Sequence, residues 1–113
     1  DNVEVPMSKL FTIRVRGDGK LFYNPAKDEP QLVLMKDLKK LMFDANMKLK
    51  NQLITVLKID DNASYDIVIR VLDELNLVEG DLVPALQKEN LPRERRFTIA
   101  PMTEKDLEEI KPL

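Results

Sequence analysis

From Leu53 to Ile59, β-branched and leucine side chains occupy both alternating sets of positions, interrupted only by Thr55 and Lys58. Such a run predicts a strand covered on both faces or nearly so. Asp60, Asp61 and Asn62 break it. Asp61, Asn62 and Ser64 can each offer a side-chain oxygen to a free amide at the start of the next helix. Tyr65, Val68, Ile69, Leu72 and Leu75 then recur at three- and four-residue steps, with Asp66, Arg70, Asp73 and Glu74 elsewhere on the wheel, which predicts a helix with one buried stripe. Glu79, Gly80 and Asp81 read as its stop, and the segment from Leu82 to Leu86 as a further strand. Strand, helix and strand in succession predict a right-handed parallel βαβ unit.

The N-terminal half predicts a hairpin and a second helix. Residues 1–8 are polar, contain Pro6 and lack periodicity, so they read as a lead-in linker. Leu10, Thr12, Arg14 and Arg16 then alternate with Phe11, Ile13 and Val15, the pattern of a half-buried strand with an apolar face. Gly17, Asp18 and Gly19 suit a tight turn, and Lys20 to Asn24 returns as the partner strand. Asp28 followed three residues later by Gln31, with Pro30 between, reads as a capping box opening a helix. Its apolar side would be Leu34, Met35, Leu38, Leu41, Met42, Ala45 and Leu49, with an end between Asn46 and Asn51.

Beyond Lys88 the pattern is less regular. Phe97 to Ile99 predicts a short strand closed by Pro101. Thr103 as cap, Asp106 as its reciprocal partner and Met102 placed to staple onto Leu107 predict a short helix to about Ile110. Pro84 cannot donate to a sheet ladder, so the strand predicted from Leu82 to Leu86 belongs at an edge or carries a bulge. If open, that edge offers strand addition to a partner or a second copy, with Val83, Ala85 and Leu86 as the pairing residues. The alternative is that the segment around Phe97 to Ile99 covers it.

Composition narrows the chemistry. The 113 residues fit one domain with a modest core, and 43% hydrophobic with 34% charged residues is a globular composition. Only 5% of residues are aromatic and none is Trp, which argues against a surface for stacking bases or sugars. Eighteen basic against twenty acidic side chains give a net charge of −2, so no bulk electrostatic drive toward nucleic acid or anionic lipid exists. Arg93, Arg95, Arg96 and Phe97 could contact phosphate, but Glu94 dilutes the cluster, and a solvated linker is the better account. Cys and His are both absent, which removes disulfides, thiolate chemistry and the commonest general base and metal ligand. Asp60 and Asp61 are the one acidic pair placed near a strand's carboxyl end, yet two acids before a helix are explained by its amides and dipole. No EF-hand glycine or terminal glutamate accompanies them, and the turn from Gly17 to Gly19 precedes no helix that could cradle phosphate. The expectation is a non-enzyme with no cofactor and no metal. No run approaches the roughly 20 apolar residues that span a bilayer, and a start at Asp1 suggests an excised or processed fragment.

The order of these features resembles the periplasmic domain of the ExbD/TolR family. The segment from Val3 to Pro6 looks like the stretch after that family's membrane helix, and Ile13 to Tyr23 with Gly19 looks like its first hairpin. The block from Leu57 to Asp60, followed by Tyr65 to Asp73, is similar to its most recognisable part. The likeness covers about residues 3–87. It implies a single-pass inner-membrane parent whose periplasmic domain dimerises through its sheet edge and works with an ExbB/TolQ-type membrane subunit. Proton flow would then be coupled to a TonB- or TolA-type transducer, with peptidoglycan a further partner in TolR-like members. The proton-bearing carboxylate of that family belongs to the membrane helix, so no catalytic residue is carried over.

The expected architecture is therefore α+β: a small mixed sheet, built from a hairpin and a βαβ unit, with two helices on one face and a C-terminal extension. Residues 1–8 are the lead-in, 9–87 the family-like domain and 88–113 the extension. Val83, Ala85 and Leu86 are the expected partner or dimer edge, with Asp60 and Tyr65 as the turn that positions it. The competing readings are a stand-alone cytoplasmic βαβ interaction module and a carboxylate-only enzyme at Asp60 and Asp61.

Overall fold

The computed structural model describes residues 6–113. The expected family segment from Val3 therefore lies outside the described residues except for Pro6, and a 3-10 turn over Met7–Lys9 leads into the first strand. Strands β1 (Leu10–Val15) and β2 (Leu21–Pro25) form the expected hairpin. Gly19 has a φ of 89° in its turn, a conformation that favours glycine. β3 (Gln31–Val33), β4 (Ile54–Ile59) and β5 (Phe97–Pro101) complete a five-stranded sheet ordered β3-β2-β1-β4-β5. β1 pairs antiparallel with β2 and β2 with β3, whereas β1 with β4 and β4 with β5 are parallel. The protein is α+β with a mixed sheet, as its sequence pattern predicts.

Helices α1 (Met35–Leu49) and α2 (Tyr65–Gln87) cover one face. Phe11, Ile13 and Val15 of β1 and Leu57 of β4 point into that layer, against Leu38 and Met42 of α1 and Val71, Leu75, Val78 and Leu82 of α2. Helix α3 (Glu104–Ile110) lies on the opposite face, as the alternation of β1 requires: between the buried Ile13 and Val15, Arg14 donates to the Asp106 carbonyl of α3. The capping box of Thr103 and Asp106 forms as expected.

Three expectations are corrected. Gln31–Val33 is a strand, not the first turn of a helix; it pairs with Leu21–Tyr23, and the Tyr23 hydroxyl meets Gln31 Oε1 at 3.2 Å. Leu34, extended with a ψ of 148°, precedes α1 and is exposed. The buried line of α2 runs through Val71, Leu75, Val78, Leu82 and Leu86, leaving Tyr65 78% exposed at its first turn. Ser64 is the residue that caps this helix, accepting from the Ile67 amide at 3.3 Å.

The largest correction concerns residues 79–87. No strand forms from Leu82 to Leu86: α2 continues through Gly80 and Pro84 to Gln87. Val83, Ala85 and Leu86 therefore present no strand edge, and Leu86 is fully buried. Helix-interior Gly and Pro cost roughly 1 and 3 kcal/mol relative to Ala. Burying Leu82 and Leu86 returns about 1.5–3 kcal/mol each, enough to offset most of that cost. Both side chains are at 0% exposure and extend the three- and four-residue rhythm begun at Val71. The βαβ unit exists, but its second strand is β5, reached after a longer helix.

This assignment makes a direct prediction for stability. Leu82→Ala is expected to cost about 2–5 kcal/mol in urea unfolding, whereas Val83→Ala, at an exposed helical position, costs less than about 0.5 kcal/mol. Equal costs at the two positions contradict the helix.

Candidate interaction edge

With Leu82–Leu86 helical, the open sheet edges among the described residues are β3 and β5. β3 is three residues long, while β5 runs for five. β5 is held to β4 from end to end, since the Thr55 amide donates to the Arg96 carbonyl at 3.0 Å and the Met102 amide to the Ile59 carbonyl at 3.1 Å. In a parallel ladder the residues whose backbone groups face the neighbour alternate. Arg96, Thr98, Ala100 and Met102 thus face β4, and Phe97, Ile99 and Pro101 face outward. The free row consists of two N–H and two C=O groups from Phe97 and Ile99 and the carbonyl of Pro101, which has no N–H to give. Phe97 packs partly against the core, and Ile99 is 53% exposed.

The approach to β5 is fixed by side chains that sequence reading assigns to a solvated linker. Arg93 grips Glu79 of α2 with two charge-assisted hydrogen bonds of 2.7 and 2.8 Å, with both side chains largely buried. Arg95 Nη1 donates to Asn76 Oδ1 at 2.9 Å, and its guanidinium lies over the Phe97 ring, 4.8 Å from the centroid. Asn51 clamps the same segment from below, donating to the Pro92 carbonyl at 2.7 Å and accepting from the Glu94 amide at 2.8 Å. Two of the three arginines are thus tied to α2. Glu79, expected to help stop the helix, is instead the anchor on it. An i-to-partner spacing of fourteen residues across a loop leaves no periodic trace, so this pairing has no signal in a single sequence.

The expected positioning pair is not brought together at the edge. Asp60 ends β4 on the hairpin side: its amide donates to the Val15 carbonyl at 2.9 Å, Oδ2 accepts from the Gly17 amide at 2.9 Å and Oδ1 from the Asn62 amide at 3.1 Å. A Cβ on Gly17 would stand 2.9 Å from Asn62 Cβ and 3.0 Å from Asp60 Oδ2, so glycine is what lets the two loops approach. Asp60 positions the β1–β2 turn, and Tyr65 projects outward. A cleft of about 680 Å³ opens beside this turn, with Arg16, Asp18, Asp60 and Glu104 among its walls. Asp18 in it is held below the ordinary carboxylate range, chiefly by its hydrogen bond from Arg16. Both oxygens of Asp60 are occupied by backbone amides, which supports a structural role for it. Among the described residues, no group of three or more His, Cys, Asp or Glu is placed to hold a metal ion.

The chain leaves β5 through Pro101 and Met102 into α3, which buries Ile110 and meets the sheet through several polar contacts. Lys58 Nζ meets Asp106 Oδ1 at 2.8 Å, and Arg14 Nη1 donates to the Asp106 carbonyl at 2.8 Å and lies 3.3 Å from Glu109 Oε1. Arg16 Nη1 donates to the Ile110 carbonyl at 2.8 Å. Burial pushes the Asp106 carboxyl up, but hydrogen bonds from Lys58 and from the Thr103 amide and hydroxyl outweigh it and hold the group below its ordinary value of 3.8. Compared with known proteins, the chain matches no family model and no curated protein.

A carboxyl whose folded value is depressed stabilises the fold fully above its unfolded value and loses that contribution as pH falls through the folded value. Stability is therefore expected to fall below pH 3.8 with a share that Asp106→Asn removes. Denaturant titrations of both chains between neutral and acid pH check this; parallel pH profiles contradict it.

Proposed function

We propose that this chain is a protein-interaction domain that works by strand addition at the outer edge of β5, as the periplasmic part of an ExbD/TolR-type subunit of a proton-driven envelope motor. The observation that carries the reading is the row of backbone groups on Phe97 and Ile99, open among the described residues, along a strand held firmly from the other side. A partner strand would gain main-chain hydrogen bonds from that row and a contact with the exposed Ile99 side chain. The family setting rests on the sequence resemblance over residues 3–87. It is supported by the order of elements, a hairpin extended by a short third strand, a helix, a strand, a long helix and a last strand at the edge, with α3 as the extension. In that setting the work is binding and mechanical coupling: an ExbB/TolQ-type membrane subunit moves the domain, and β5 is offered to a TonB- or TolA-type transducer or to a second copy. Peptidoglycan is the further partner if the parent is TolR-like.

Two experiments test the two halves of this proposal. Ile99→Pro removes an outward N–H without touching the ladder to β4, so the chain should stay folded while binding of a transducer-derived peptide, read by calorimetry, drops about tenfold or more. Undiminished binding by the folded variant refutes strand addition at β5. For the family setting, the reading frame upstream of Asp1 should encode an apolar segment of about 20 residues carrying one acidic residue. An initiating Met close to Asp1 with no such segment leaves a stand-alone interaction module instead.

A further inference from the structure

The second face of the sheet carries Arg14, Arg16 and Lys58, with Arg14 and Lys58 opposite each other in the β1–β4 register. Each sends at least one donor to α3: Lys58 to the Asp106 carboxylate, Arg14 to the Asp106 carbonyl with an ion pair to Glu109, and Arg16 to the Ile110 carbonyl. Arg16 also binds Asp18 and the Leu113 carbonyl, and Arg14 reaches Asn24. We propose that this row is a seat for the acidic face of a partner protein's helix, and that α3 occupies it as a built-in, displaceable stand-in.

Four observations carry this. α3 has seven residues, too few to be stable as a helix alone, so its order comes from the seat. Its attachment includes four polar contacts with Arg14, Arg16 and Lys58, with Ile110 its one fully buried apolar side chain. Clefts of about 680 and 430 Å³ run along it, one walled by Glu104, Leu107 and Glu108, the other by Lys105, Asp106 and Glu109, leaving a narrow ridge open to attack from both sides. Finally, α3 serves Arg14 incompletely: this side chain is only 6% exposed, its Nε is buried with no hydrogen-bond partner, and the Nη2 contact with Asn24 is a long 3.5 Å. A carboxylate presented side-on to Nε and Nη would satisfy the guanidinium better than a carbonyl and one longer ion pair do. The matching ligand repeats the pattern of Asp106, Glu109 and Ile110: two carboxylates three residues apart followed by an apolar anchor. The chemistry excludes a basic helix, which would face three cations.

The apparent affinity of a seat covered most of the time is reduced by the fraction of molecules in which it is free. A fluorescent synthetic peptide spanning residues 102–113, added to the full chain, is the probe. Asp106→Asn keeps an oxygen for the Thr103 cap but loses the charge on Lys58, so it should bind the peptide about tenfold more tightly than the unaltered chain by fluorescence anisotropy. Adding Lys58→Gln should abolish that gain. Glu109→Gln, at an exposed position outside the cap, should give a smaller gain in the same direction and serves if Asp106→Asn fails to fold. Equal peptide affinity in folded Glu109→Gln and unaltered chains, or a gain that survives Lys58→Gln, overturns the proposal and leaves α3 a permanent cover.

Discussion

β1 lies in the middle of the sheet, between β2 and β4, and each layer of the protein answers to one of its two faces. Phe11, Ile13 and Val15 can leave water only under a layer of apolar side chains, which α1 and α2 supply. Arg14, on the other face and 5% exposed, can be buried only if oxygens are brought to it, which α3 and Asn24 supply. One strand thus demands an apolar cover on one side and a polar one on the other. The chain order follows: α1 and α2 arise within the crossovers that return parallel strands to the sheet, and α3 arrives last, after β5 has closed the row.

The parts legible in the sequence are those whose pattern is local. The β1–β2 hairpin, the strand ending at Ile59 and the Thr103–Asp106 cap each rest on residues within a few positions of one another. Gly80 and Pro84 are strong local breakers, and what overrides them is tertiary: Leu82 and Leu86 fall in line with Val71, Leu75 and Val78 only when the whole helix is laid on the sheet. Once residues 82–86 are helical, the strand that completes the βαβ unit is Phe97–Pro101, a segment whose pattern was visible but whose place in the sheet was not. Asp60, expected with Tyr65 in the turn that positions the edge, accepts instead from the Gly17 amide of the β1–β2 turn, and Tyr65 is exposed.

Charge in this protein is spent on joining elements. Arg93 binds the approach to β5 onto Glu79, Lys50 reaches Glu89, and Lys58 and Arg14 seat α3. With the Arg93–Glu79 pair largely buried, loss of either partner would strand the other, which fixes the path by which the chain enters β5. The edge strand is therefore positioned by ion pairs from one side and by the β4 ladder from the other, and its outer row of backbone groups remains unpaired within the described residues. That combination of a rigidly placed strand and a free edge is what strand addition needs.

Residue-resolved amide hydrogen exchange along β5, measured on dilute protein, tests that claim most directly. The amides of Thr98 and Ala100, bonded to β4, are predicted to exchange slowly, and those of Phe97 and Ile99, facing outward, to exchange fast. Slow exchange at all four would mean that the edge is already covered, and fast exchange at all four that β5 is not part of the sheet; either result contradicts the account.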